Sequence, residues 1–452
     1  MKSINPATNS LIREYREHTP KEVNHIVSII HQEWKRWKDT SFDYRAGLFR
    51  NAAKILRKDN DSYARLMTEE MGKIIRESKA EIEKCATACD YFADHAATLL
   101  RDQEIESDAN RSIVVFQPLG TILAIMPWNF PFWQLFRFAA PSLMAGNVAV
   151  MKHASNVPGC ALAIEELFIK AGFPRNVFNT LMIPSSGVES VISNPLIAAI
   201  TLTGSEAAGA QVASAAARHI KKSVLELGGS DPFVVLEDAD MEITVKTAIT
   251  ARMINQGQSC IAAKRFIVMD KIGEEFTDRL KQEIEKLKIG DPGDAETQIG
   301  PLARVDLVDE LERQVRQSIA AGATLVAGGK RPERKGCYYL PTILTGIKKG
   351  MPVYHEETFG PVFSIIFVHS EEEALAVAND SEFGLGGSVW TKDLKRGEDF
   401  ARRVETGAMF VNGLTKSDPR LPFGGIKKSG YGRELAEYGI KEFVNIKTIW
   451  IK

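Results

Sequence analysis

A chain of 452 residues, 44% of them hydrophobic, is long enough to bury a large core and to divide into roughly two or three domains. Its 57 basic side chains face 58 acidic ones, for a formal net charge of -1, which removes any electrostatic reason to expect nucleic acid or an anionic membrane as partner. A small molecule is the expected partner.

After an extended Asn5-Pro6-Ala7-Thr8 start, Val23, Ile26, Val27, Ile30, Trp34 and Trp37 recur at helical spacing on one face, and the helical pattern runs on to about Leu100. Cys85 and Cys89 share a face of that region. With no histidine or carboxylate arranged as further ligands, they read as buried thiols, and no metal site is expected. The five cysteines (Cys85, Cys89, Cys160, Cys260, Cys337) contain no CxxC, and Met1-Lys2-Ser3-Ile4-Asn5-Pro6 lacks the apolar centre of a signal peptide, so a reducing, cytoplasmic compartment is expected. Residues 101–118 change character: Asp102, Glu104, Glu106 and Asp108 precede a short strand signal at 112–116. Such an isolated strand needs a partner, either the C-terminal Phe443-Val444-Asn445-Ile446 or another subunit.

The apolar stretch 119–151 is broken by Pro127, Asn129, Pro131, Arg137 and Pro141, which fits core strands around a helix better than a membrane span. From residue 119 strands (121–126, 148–151, 198–202) alternate with helices (to 145, about 158–171, from 206), and a second series starts near Phe233, with strands at 266–269, 324–327, 363–368 and 409–411 and a strong helix at 303–321. This alternation predicts an α/β protein with parallel sheets covered by helices. The boundary between the two series is expected near Gly228-Gly229.

Cys260 follows the small polar turn Gln256-Gly257-Gln258-Ser259, and about thirty residues upstream lies Glu226-Leu227-Gly228-Gly229, a carboxylate that could act beside a thiol nucleophile. Thr203-Gly204-Ser205-Glu206 turns from strand to helix, a place where free amides and the helix dipole favour phosphate. Glu226 lies about twenty residues beyond that turn, where a dinucleotide fold places its ribose-binding acid, so two roles compete for one carboxylate. Trp128-Asn129-Phe130-Pro131 puts an Asn at the end of a buried strand, which is costly unless its amide is used; one use is donation to an oxyanion.

Pro127-Trp128-Asn129-Phe130-Pro131, Thr203-Gly204-Ser205, Glu226-Leu227-Gly228-Gly229, Gly257-Gln258-Ser259-Cys260, Glu356-Glu357-Thr358-Phe359-Gly360-Pro361 and Pro422-Phe423-Gly424-Gly425-Ile426-Lys427 together resemble the ordered signatures of the aldehyde dehydrogenase superfamily. The resemblance covers nearly the whole chain. It implies a Rossmann-like cofactor domain (1–100 and 119–229), an α/β catalytic domain (230–440) and a small β oligomerisation arm (101–118 and 441–452) that gives a homodimer or homotetramer.

The resemblance implies Cys260 as nucleophile, Asn129 with the Cys260 amide as oxyanion donors, and Glu226 as the base for hydrolysis; relatives that pass the acyl group to coenzyme A usually lack this carboxylate. NAD or NADP would be held by Trp128, Lys152, Ser155, Gly204, Ser205, Glu357 and Phe359. Strongly NAD-selective relatives often carry Glu where Ser155 stands. A carboxylate repels a 2′-phosphate and a hydroxyl does not, so NADP should be tolerated. Phe138 stands where many relatives have Lys, so a proton relay through that amine does not transfer. Arg137 is the expected ligand of a substrate carboxylate, by likeness to succinate semialdehyde dehydrogenases, although Ile254 replaces a second Arg found in some of them. The rival for Arg137 is an internal salt bridge; the rival substrate is an apolar or aromatic aldehyde, with Phe130, Phe132, Trp133 and Phe136 lining the channel. A thioesterase and a non-catalytic protein of the same fold complete the alternatives.

Overall fold

Apolar runs too short for helices become strands that are buried on both faces, as parallel strands under helices must be: Val148–His153, Asp231–Val235 and Ala263–Met269 are buried throughout. The computed structural model describes all 452 residues. A six-stranded sheet runs in the order Gly430–Tyr431, Lys222–Glu226, Ile197–Thr203, Thr121–Met126, Val148–His153, Phe178–Thr180, parallel except at its first strand. A seven-stranded sheet runs Thr324–Ala327, Thr342–Thr345, Val362–Val368, Ala263–Met269, Asp231–Val235, Ser388–Trp390, Phe410–Val411, antiparallel only at Thr324–Ala327.

Alternation along the second sheet assigns its side chains to two cores. Val234, Ile267, Leu344 and Ile366 enter one, while Phe233, Val235, Phe266, Val268 and Phe363 enter the other. The first sheet shares one core with the N-terminal helices, where Val27, Phe49, Cys85 and Phe92 pack with Ile122 and Val150. No helix is long and apolar enough to cross a membrane.

Several local expectations change. Only Asn5 of residues 5–8 is extended: Asn5 Oδ1 accepts from the Ala7 amide at 2.9 Å, and residues 6–9 turn the chain in a hairpin between Lys2–Asn5 and Ser10–Glu14. The strand signal at 112–116 belongs to Arg111–Pro118, and its partner is Val444–Ile451 of the same chain, antiparallel in unbroken register. The chain also rejoins the first sheet at Gly430–Tyr431, before the expected end of the second unit at residue 440.

The crossing between sheets positions the site. Trp128-Asn129, Lys152, Gly204-Ser205 and Glu226 all stand at the carboxyl ends of first-sheet strands, and Thr203 and Glu226 are paired neighbours. Cys260 and Thr358-Phe359 instead precede the second-sheet strands Ala263–Met269 and Val362–Val368. The carboxyl edge of one sheet thus supplies its loops alongside those of the amino edge of the other, at the kind of crevice where open α/β sheets bind ligands.

Helix Ile75–Leu99 braces this crevice. Glu81 Oε1 accepts from the Phe132 and Trp133 amides, both at 2.9 Å, and so caps helix Trp133–Met144. Its other oxygen pairs with buried Lys73, whose ammonium lies 3.7 Å from the Phe130 ring centroid. Removing one partner of a buried pair leaves an uncompensated charge and costs about 3–5 kcal/mol. Glu81→Ala should therefore lower the thermal unfolding midpoint sharply; an unchanged midpoint would contradict the bracing role.

Candidate active site

The loop before Cys260 is held in a conformation that side chains disfavour. Asn255 and Gln256 have φ of 49° and 54°, followed by Gly257 at 80°, and left-handed non-glycine residues cost about 1–3 kcal/mol each unless their surroundings impose them. Here the Asn255 amide donates to Glu77 Oε2 at 2.8 Å, and Asn255 Nδ2 donates to Asn129 O at 2.7 Å and Gln258 O at 3.2 Å. Arg252, fully buried, donates to Gly257 O, Ala263 O and Thr358 O at 2.6, 2.9 and 3.2 Å. Lys264 Nζ donates to Ser259 O at 2.8 Å and Cys260 O at 2.6 Å.

These bonds tie down the loop's carbonyls and leave the Cys260 amide without an acceptor in the chain. Asn129 Nδ2 donates to Gln258 O at 3.1 Å, which sets its amide beside the same loop. A free main-chain N–H and a side-chain amide on one loop are the kinds of donor an oxyanion uses. Cys260 is the one cysteine of the five with partial exposure. Burial by the surrounding protein pushes its thiol up to about 12, against the fields of Arg137 and Lys264, so at rest it is protonated.

Glu226 is 2% exposed and neither carboxylate oxygen has a hydrogen-bond partner. Burial pushes its pKa up to about 8; Arg137 opposes the rise and Glu434 adds to it. The Gly204 amide donates to the main-chain Glu226 O at 3.0 Å, and Gly424 passes so close to the carboxylate that a side chain there would meet Oε1 at 2.7 Å. Glu226 is thus a poised buried acid facing the nucleophile's loops, and the ribose-binding alternative loses its support.

Arg137, the expected ligand of a substrate carboxylate, stands among acids of the chain. Its guanidinium is 1% exposed, pairs with Glu434, lies 3.8 Å from Glu226 Oε2 and stacks 4.4 Å over the Phe423 ring. Two buried acids need a counter-charge, and Arg137 already supplies it.

On the opposite side, Trp128 and Phe359 meet edge to face with centroids 5.8 Å apart. Glu357 Oε1 accepts from the Gly229 amide at 3.0 Å and lies 3.3 Å from Lys264 Nζ, so the two glycines and one buried lysine hold it. Lys152 Nζ donates to Ser185 Oγ at 3.4 Å. Ser185 joins two clefts: one of about 270 Å³ lined by Ile125, Lys152, Val188, Leu202, Ala208 and Val212, and one of about 750 Å³ that includes Ser155. Ser205 caps the following helix, its hydroxyl accepting from the Ala208 amide at 3.3 Å. An apolar slot ending in a lysine and hydroxyls, beside a helix N-terminus, suits a nucleotide.

With this geometry in place, residues 1–449 match the aldehyde dehydrogenase family. The chain belongs to that family. It is 52% identical, over 99% of both chains, to a probable succinate-semialdehyde dehydrogenase [NADP(+)] of Synechocystis. Among solved structures, succinic semialdehyde dehydrogenase from Streptococcus pyogenes with NADP+ superposes with a TM-score of 0.98 at 39% identity, covering 100% of this chain and 99% of that one. Betaine aldehyde dehydrogenase from Staphylococcus aureus with NAD+ gives 0.96 at 30%, covering 99% and 92%.

The sequence reading of this aldehyde dehydrogenase missed Lys264, Arg252, Glu434 and Ser185. The signal for Lys264 was available, since Lys264 and Arg265, the two charges within the otherwise apolar run 261–269, must be buried and therefore used. Arg137→Met should move the rising limb of the rate–pH profile for aldehyde oxidation above its wild-type position near pH 8. Without the guanidinium, only the weaker field of Arg433 opposes burial and Glu434, so the Glu226 pKa rises further and its charged form appears only at higher pH. An unmoved limb would contradict the pairing.

Proposed function

We propose that this aldehyde dehydrogenase oxidises succinate semialdehyde to succinate with NADP, through a thioester on Cys260. The observation that carries the substrate is the match over 99% of both chains to a relative named for that activity. The cofactor choice rests on Ser155, Ser185 and Lys152: position 155 carries a hydroxyl where a carboxylate would repel a 2′-phosphate, and Lys152 supplies a cation.

The fit of the cofactor rests on the apolar slot and its polar rim. Lys152, Ser155 and Ser185 would hold the adenosine ribose and its phosphate, Gly204 and Ser205 the pyrophosphate, and Trp128, Glu357 and Phe359 the nicotinamide end. When bound, the nicotinamide supplies the hydride acceptor.

The remaining steps belong to the chain. The Cys260 thiol gives its proton to solvent water, the thiolate being favoured by the nearby charges of Arg137 and Lys264, and the sulfur adds to the aldehyde carbon as the carbonyl π pair moves onto oxygen. Asn129 Nδ2 exchanges its bond to Gln258 O for the oxyanion, which the Cys260 amide also binds. After hydride loss the acyl group remains as a thioester. Glu226, charged above about pH 8, then takes a proton from water, and hydrolysis releases the acid. Activity should accordingly favour neutral to alkaline pH.

The three-stranded sheet Gln103–Glu104, Arg111–Pro118, Val444–Ile451 exposes Ile446, Trp450 and Ile451. These support a homodimer or a dimer of dimers built on this arm. The free cysteines suit a reducing cytoplasm.

An aldehyde panel assayed with NAD and NADP side by side tests the proposal. Wild type should favour succinate semialdehyde and NADP, and Cys260→Ala should abolish turnover. Ser155→Glu should raise the KM for NADP by about 100-fold or more, a cost of about 2.7 kcal/mol for placing a carboxylate against a phosphate. A preference for aromatic aldehydes, or indifference of Ser155→Glu to the 2′-phosphate, would contradict it.

A further inference from the structure

Lys264 is 1% exposed and stands near the start of strand Ala263–Met269, which has a parallel neighbour on each side. Arg265, on the other face of the sheet, spends its guanidinium on Ser230 O, Val377 O and Ala378 O. Lys264 is placed differently. The nucleophile's loop leads into its own strand, and Glu357 stands just before the adjoining strand Val362–Val368, so both loops enter at one end of the sheet with Lys264 between them. Two of its hydrogens go to Ser259 O and Cys260 O, and its charge lies 3.3 Å from Glu357 Oε1.

These groups pack into one cluster. Gly229 runs so close to the Cys260 carbonyl that a side chain there would meet the oxygen at 2.6 Å, and Gly228 so close to Glu357 that one would meet Oε2 at 2.5 Å. Glu357 Oε1 is taken by the Gly229 amide and Lys264, whereas no group of the chain donates to Oε2, and the side chain keeps 21% of its surface exposed. One oxygen thus fastens the acid to the nucleophile's loop and the other is left for a ligand. Burial and Arg252 pull the Lys264 pKa down; Glu357, Asp231 on the neighbouring strand and Cys260 pull it up. Arg252 also joins the two loops, but through Gly257 O and Thr358 O. Lys264 is the group that ties the nucleophile's own carbonyl to the carboxylate.

We infer that Lys264 is a positioning residue for hydride transfer: by holding the Cys260 carbonyl and Glu357 on one ammonium, it fixes the nicotinamide end of the cofactor relative to the substrate carbon on the Cys260 sulfur. The inference rests on the reading of Glu357 as a ligand of that end. Reacting atoms must come within about 3–3.5 Å, and a misplacement of about 1 Å costs about 100-fold.

The test compares wild type, Lys264→Met, Lys264→Arg, Glu357→Gln and the double variant Lys264→Met with Glu357→Gln, each normalised to titratable Cys260 thiol. One reading is the burst rate of NADPH formation with succinate semialdehyde. Another is cofactor-free cleavage of 4-nitrophenyl acetate, which acylates the same sulfur with loss of 4-nitrophenolate. The last, made without turnover, is the nanosecond anisotropy decay of bound NADPH, whose nicotinamide fluoresces. In Lys264→Met the ratio of burst rate to ester rate should fall at least about 10-fold, and the bound nicotinamide should depolarise faster; Lys264→Arg should recover part of both. Glu357→Gln should change both in the same direction, and the double variant should fall no further than the worse single one, because the two residues act as one unit. A parallel loss on both reactions in Lys264→Met, or additive losses in the double variant, would overturn the inference while leaving the reading of Glu357 standing. A Glu357→Gln enzyme with unchanged ratio and anisotropy would overturn that reading, and the inference with it.

Discussion

Glu226 is a carboxylate without hydrogen bonds in a place nearly closed to water, and the guanidinium of Arg137 makes its charged form tolerable. The same guanidinium pairs with Glu434, stacks on Phe423 and lowers the cost of a thiolate at Cys260. One buried cation therefore links the nucleophile, the acid and the loop Pro422-Phe423-Gly424. Removing that charge would leave two buried acids without a counter-ion.

A second set of buried cations shapes the nucleophile's loop. Arg252 and Lys264 make their hydrogen bonds mostly to carbonyls of the chain, and those bonds hold Asn255 and Gln256 in left-handed conformations that isolated residues avoid. The strain fixes where the Cys260 amide points. Glu77 on helix Ile75–Leu99 and Asn129 complete the clamp, so the N-terminal helices contribute directly to the geometry of the site.

The strands near 121–126, 148–151 and 198–202 and the helices to 145 and at 158–171 were legible because their apolar runs and glycine turns have no competing pattern, whereas Phe178–Thr180 and Val188–Ser193 were too short to show. Lys222–Glu226 and Ser388–Trp390 were not legible either, the first because Lys222 and Ser223 interrupt its apolar signal, the second because it has only three residues. Cys260, Glu226, Asn129 and the candidate cofactor residues stood out because each lies in a short local motif. For Arg137 the internal salt bridge was open as a rival, but its acid could not be named: Glu434 lies far along the chain on a segment whose return to the first sheet no local pattern announces.

The central claim is a division of labour in time: Cys260 makes the thioester and Glu226 acts on water afterwards. Rapid mixing of Glu226→Gln with NADP and succinate semialdehyde tests it most directly. A burst of reduced cofactor close to one per Cys260 should survive, followed by a steady rate slowed by at least about 100-fold, with a succinyl adduct on Cys260 seen by mass spectrometry. Loss of the burst while Cys260 stays reactive would contradict the account and make Glu226 the base of the first step.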